Sequence, residues 1–484
     1  MGKTAKPIHG LILQRTVDIS MLQNIKALLL HSQSERPHFF SFGCTGSEET
    51  FFARLFKDVS TDIRSNLLGT SRRFKISVGL RVVLFLTIAL ACAQDSPANE
   101  NGYAQLTGSV FFPEPTNPFS PPRVSELKLP DISGARSVWG ATGRDTRGHI
   151  WIGVSMSGSR TGAHLLEYDP GCDLWTNHGS VIDHLSRSDG IGQMKIHSKI
   201  VQASDGWLYF ASMDEEGENA QSSTLPKNGG HLWRIFPGKK NWEHLFSVPE
   251  AIIAVSGVGR YIYALGYWDH VLFRYDTQTK QSRRITVGSS DGHVSRNFLA
   301  DIRGHAFVPR IMKQVDGTCS AYLVEYDNQL NEIGETVLDY YLGKGSPEQN
   351  HGIVGIAYLP DHRMMFTTHL GQLYEITPND SGPALVQAMG WIHPSGSVYA
   401  PGLYALGGNT WIGCITQRGQ TFEWVVFDSA NPTKPSQAFP IELGSLRSVL
   451  LYGSITTDDA GRIYAVGWAS GGPRPLILQI TPAH

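Results

Sequence analysis

One short sentence of sequence recurs seven times between Ser137 and Pro482: a small or polar strand, a tight turn, then an apolar and aromatic strand that stops abruptly. The copies span Asp145–Gly153, Asp205–Ala211, Val258–Gly266, Asp301–Pro309, Asp361–Thr368, Gly408–Gly413 and Asp459–Gly467. Their spacing of roughly 44 to 60 residues is that of four-stranded blades arranged radially about an axis. The expected fold class is therefore all-β, a seven-bladed β-propeller of four-stranded antiparallel blades, with six and eight as the neighbouring counts. The last stretch, from about Leu451 to Thr481, offers only three strands. An unclosed ring would expose strand edges, so a strand from the N-terminal side should complete that blade. Either Val124–Pro130 or Ala104–Phe111 suits the role.

The chain divides into four segments. Residues 1–72 read as a non-native or disordered leader. Residues 73–93 read as a secretory signal peptide: Arg72, Arg73, Lys75 and Arg81 precede the apolar run Val82–Ala91, and Ala91-Cys92-Ala93 ends it with small residues. The apolar run is too short to span a bilayer. Residues 94–123 form a Pro/Ser/Asn-rich linker and 124–484 the propeller. The expected location is secreted or periplasmic, with lipid attachment at Cys92 the lesser alternative because Leu90 stands one place from where a lipobox wants it.

Charge removes one class of function. Residues 94–484 hold 29 basic against 37 acidic side chains, a mildly acidic balance that does not suit phosphate backbones, so nucleic acid is not an expected partner. Beyond residue 93 only Cys172, Cys319 and Cys414 remain, an odd and scattered set with no metal-ligand spacing; one disulfide plus a free thiol is its fullest use. The exported portion reads as a monomer without a transmembrane span.

In a propeller the ends of the first two strands of each blade bring side chains to the mouth of the central channel. The residues just after the second strands are Val154, Met213, Tyr267, Arg310, His369, Ile415 and Trp468. The first strands add Lys195, His197, Arg296 and His351. This is a cationic, aromatic hub inside an acidic protein. It suits an acidic polysaccharide or oligosaccharide: Arg pairs with a carboxylate, flat rings hold pyranose faces, and His or Tyr moves protons. His231, in Gly229-Gly-His-Leu-Trp233, could reach the mouth through the insert Glu215–Asn228. The sequence requires no metal, and a structural zinc or calcium ion stays open. Asp269 with His270 is too small a set to define a site, and the run Asp214–Glu218 reads as a solvated loop before it reads as a calcium site.

At the first strand Lys195-Ile-His-Ser-Lys199, the following Asp205-Gly-Trp-Leu-Tyr-Phe210 and the downstream Tyr267, the chain resembles the seven-bladed β-propeller polysaccharide lyases that act on ulvan and rhamnose-glucuronate linkages. The resemblance covers about 350 residues. It implies β-elimination at a uronate, with His197 and Tyr267 as proton-transfer groups and Arg296 or Arg310 neutralising the carboxylate. Lys195, His351, His369 and Trp468 would hold the substrate. The family's second histidine meets Met213 here, so either His231 substitutes or the chain is not such a lyase. The alternatives are a non-catalytic exported propeller that binds glycan or protein, and a metal-dependent lactonase or hydrolase, which the shortage of inner Glu, Asp and Asn disfavours.

Overall fold

The computed structural model describes residues 109–482 except residue 116 and the segments 159–161, 186–191, 220–221, 291–294, 343–351 and 471–473. The leader, the signal segment, most of the linker and His351 lie outside those residues.

Seven blades surround an axis. Blade 1 holds the short strands Ala135–Ser137 and Thr142–Arg144, then Ile150–Met156, His164–Asp169 and Leu174–Ser180. Blade 2 runs from Val201 to Val248, blade 3 from Ile252 to Thr286, and blade 4 from Leu299 to Val337. Blade 5 spans Ile353–Trp391 and blade 6 Tyr399–Ile441. Blade 7 takes Leu450–Thr457, Ile463–Ala469 and Arg474–Thr481 from the C-terminal end, and Arg123–Glu126 as its outermost strand. That strand pairs antiparallel with the last one, Arg123 opposite Thr481 and Glu126 opposite Leu478. Closure thus uses the first of the two strands expected, over its first residues only.

The turn inside each blade explains why the repeat is legible. Asp145 Oδ1 accepts from the amides of Arg147 and His149, and Asp301 repeats this with Arg303 and His305. Asp458 does the same with Ala460 and Arg462, so the turn carboxylate of the seventh copy sits one residue before Asp459. A carboxylate that satisfies two turn amides fixes the hairpin locally. Gly148, Gly304 and Gly461 close these turns at φ of +83°, +77° and +76°, where a Cβ would be strained.

Between blades the packing is continuous. Trp151, Phe210 and Trp233 share one cluster with Tyr464 across blades 7, 1 and 2, and five further clusters fill the seams 2/3, 3/4, 4/5, 5/6 and 6/7. Near the axis there is no room for side chains at some positions. A Cβ at Gly143 would strike the Ile200 carbonyl, and one at Gly453 the Val354 carbonyl. The Pro-rich segment before the first strand lies along blade 6, where Gly408 donates to Phe112, Trp411 Nε1 reaches Glu114 at 3.1 Å and Phe119 packs edge-on to Trp411. Cys172, Cys319 and Cys414 are not disulfide-bonded to one another, so the one disulfide open to this set does not form among them. No helix among the described residues is long and apolar enough to cross a membrane.

Candidate functional site

The inner segments of six blades present side chains at one end of the axis. Trp139 comes from blade 1, His197 from blade 2, Arg296 from blade 4, Val354 from blade 5, Tyr399 from blade 6 and Tyr452 from blade 7, and His369 joins them from the second strand of blade 5. They form a bowl whose floor is a cavity of about 30 Å³. This is room for a water or two and no more.

The rings are interlocked. Trp139 stacks on His197 at 6.2 Å and tilts against Tyr452 at 4.7 Å, while His369 meets Tyr399 at 4.5 Å. Lys195 Nζ lies 4.6 Å from the centre of the Trp139 ring and pairs with Glu215. Its charge is thereby compensated. Arg296 is exposed and has no ion pair among the described residues, and the same holds for Arg136 at the rim.

His197 is 6% exposed, and its Nδ1 lies 3.1 Å from the Ile253 carbonyl. A carbonyl only accepts, so Nδ1 carries the proton and Nε2 keeps a lone pair. Burial, then the charges of Lys195 and Arg296, hold the His197 pKa well below its ordinary value. The ring is a neutral base. The Tyr452 hydroxyl accepts from Trp468 Nε1 at 3.1 Å, which leaves its own proton to donate. Burial raises its pKa, while the Trp468 bond and the Arg296 and Arg136 charges oppose that rise. Tyr399 instead gives its proton to the Leu451 carbonyl at 3.1 Å.

The sequence-derived set therefore divides. His197, Arg296 and His369 line one cavity; Lys195 stands beside them over Trp139, and Trp468 supports Tyr452 from behind. Tyr267 is not part of that lining. It is 6% exposed, its hydroxyl faces Met213 Sδ at 4.0 Å, and burial followed by the Glu218 and Glu215 charges pushes its pKa far up. Arg310 is held elsewhere, on the blade-4 surface between Glu332 at 3.0 Å and Glu335. The second strand of that blade runs on to Lys313, so residue 310 is mid-strand and not at its end. His231 does not reach the bowl. It sits on the third strand of blade 2 with Nδ1 3.0 Å from His244 Nε2, and burial followed by the His244 charge lowers its pKa to about 4.

Residue reading missed Trp139, Tyr399 and Tyr452. A signal existed: each follows an aliphatic residue on the inner segment of its blade, as Val138-Trp139, Val398-Tyr399 and Leu451-Tyr452. The acidic insert also departs from expectation. Glu216 and Gly217 are solvated, but Asp214 is buried and bonded to Asn228, Glu215 binds Lys195, and Glu218 is half-buried with its pKa raised to about 7 by burial and the Glu215 charge.

Two triads have the composition of metal sites, Asp145/His149/Glu167 and Asp301/His305/Glu325. In each an arginine already supplies the cation: Arg147 bonds Asp145 and Glu167, and Arg303 bonds Asp301 and Glu325. They are blade-hairpin braces. His270 is likewise committed, with Nδ1 2.8 Å from the Pro309 carbonyl and Nε2 accepting from the Ser295 amide at 2.9 Å, which leaves Asp269 without a ligating partner there.

No protein-family model matches the chain, and no curated protein does. Among solved structures it is similar to a protein of unknown function from Dyadobacter fermentans, 11% identical over 75% of this chain and 99% of that one at a TM-score of 0.46. An ulvan lyase, described as a new family of polysaccharide lyase, is 10% identical over 75% and 96% of the two chains at 0.43. A copper-bound fungal alcohol oxidase is 8% identical over 75% and 77% at 0.45. Identities this low leave the chemistry to be argued from this chain's own residues.

Proposed function

We propose that the protein binds a uronate-containing glycan over the axial bowl and cleaves it by β-elimination. The observation that carries this reading is Arg296, an exposed guanidinium with no carboxylate partner among the described residues, set among His197, Tyr399 and Tyr452. A fixed cation with open donors is matched by a sugar carboxylate, which it would hold in two parallel bonds. The small cavity means that the saccharide lies over the rings and sends only a polar group inward.

Pairing the carboxylate with Arg296 acidifies the neighbouring C5–H. His197 Nε2 takes that proton, the C4–C5 double bond forms, and the C4–O4 bond breaks with its electron pair on O4. Tyr452 gives its proton to that oxygen. In this scheme Tyr452 stands in for Tyr267, which the family resemblance gave as a proton-transfer group. The bound carboxylate also offsets the cations that depress His197, so substrate makes the base stronger.

Incubation of the protein with a panel of uronate polysaccharides tests this through the ultraviolet absorbance of an unsaturated product. Binding without cleavage is the second reading, and the depth at which Tyr267 is buried favours it. Saturable affinity for uronate glycans with no unsaturated product from any of them selects that reading. Neither affinity nor product rejects both.

A further inference from the structure

A second cavity follows the first along the same inner strands. Its lining comes two to four residues further on: Thr142 where the bowl has Trp139, Lys199 after His197, Tyr358 after Val354, and Thr456 after Tyr452. At about 3.3 Å per residue this lies roughly 10 Å deeper. Its volume is about 40 Å³.

The distinguishing group is Lys199. It is 7% exposed, and it has no hydrogen bond or ion pair to any described residue. An ammonium carries three donors, and leaving them unmet in a buried place is costly. Around it are the hydroxyl-bearing Thr142, Ser256, Tyr358 and Thr456, of which Thr456 donates to Thr142 and Tyr358 to the Ala300 carbonyl, with Arg144 at the edge bound to Asp459. Among the described residues no carboxylate lines the cavity. Burial alone lowers the Lys199 pKa to about 7, so close to neutrality the amine readily takes up the proton that an anion would favour.

We propose that this cavity binds a small monovalent anion, of chloride size, with Lys199 as its counter-cation. A buried cation without a counter-charge among the described residues and space for only a few atoms together specify the ligand: negative, compact and without need of an acceptor partner. A phosphate ester or sugar does not fit the volume. The site is separate from the bowl and does not depend on the glycan reading.

The experiment is thermal unfolding of the full chain, just below neutral pH, as chloride replaces gluconate at constant ionic strength. The expected result is a saturable rise in melting temperature of the order of a few degrees. Bromide reproduces it, Arg296→Gln keeps it, and Lys199→Met abolishes it. Equal melting in chloride and gluconate overturns the proposal, as does a chloride response that survives Lys199→Met or disappears in Arg296→Gln. Crystals grown in bromide give an answer independent of any variant. An anomalous peak within hydrogen-bond distance of Lys199 Nζ supports the site, and water alone there overturns it.

Discussion

At the scale of single residues, the bowl separates groups that look alike in sequence. His197 and His270 are both buried imidazoles bonded to a carbonyl, but His270 uses its second nitrogen on the Ser295 amide and His197 lines a cavity. Replacing His197 by Ala should slow uronate cleavage about 10²–10⁴-fold, the ordinary contribution of a positioned base, and Tyr452→Phe should do the same. Tyr267→Phe should change the rate only a few-fold, because its hydroxyl's one hydrogen-bond contact among the described residues is the Met213 sulfur. A large loss in Tyr267→Phe with none in Tyr452→Phe would give the acid role to Tyr267. Arg296→Gln should weaken uronate-glycan affinity about 10- to 100-fold in calorimetry, as expected for a charged hydrogen-bond pair.

Lys199 makes a separate prediction about stability. Its pKa is depressed from 10.5 to about 7 in the folded chain, so between those values the unfolded chain binds a proton that the folded chain does not. Stability should therefore rise with pH across that window when no small anion is supplied. The other cation at the cavity edge, Arg144, is paired with Asp459. Lys199→Met should flatten this rise and, near pH 7, stabilise the fold by on the order of 4 kcal/mol, measured by denaturant unfolding.

At the scale of elements, the hairpin brace and the closing strand carry the load that the sequence only hints at. Arg303 bonds Asp301 at 2.6 Å and Glu325 at 2.7 Å, and reaches the carbonyls of Asn379 and Gly382 on the next blade. Arg303→Met would leave buried Asp301 and Glu325 without their shared guanidinium, Glu325 keeping only the His305 ring, and should cost about 3–5 kcal/mol. The closing strand contributes four residue pairs and the Arg474–Glu126 ion pair. A chain beginning at residue 127 should lose on the order of 2 kcal/mol and expose the Arg474–Thr481 edge. Lower melting together with concentration-dependent light scattering is the expected outcome.

At the scale of the whole molecule, charge is unevenly placed. The portion after residue 93 carries more acid than base, yet at the bowl Arg136 and Arg296 have no ion-pair partner among the described residues. Uronate-glycan binding should accordingly fall as salt rises, while neutral glycans of the same length bind weakly at every ionic strength. Salt-independent affinity would place the contact away from these arginines.

The repeat, the blade boundaries and the need for a closing strand were legible in the chain alone. They arise from local physics: carboxylates that cap their own turns, glycines at positive φ, and strands short enough to read as runs. His197, Arg296 and His369 were also reachable, because they stand at strand ends where a propeller opens. The rest depended on where strands stop and which way each side chain points. Arg310 differs from a mouth residue only by a second strand that runs on to Lys313, and Tyr267 from a catalytic phenol only by the acidic insert packed near it. Trp139, Tyr399 and Tyr452 lie far apart in the chain and become neighbours because seven sheets close on one axis. Sequence thus determined the ring and its punctuation, which are local, and tertiary structure decided which groups meet at its centre, because that depends on the register of strands separated by hundreds of residues.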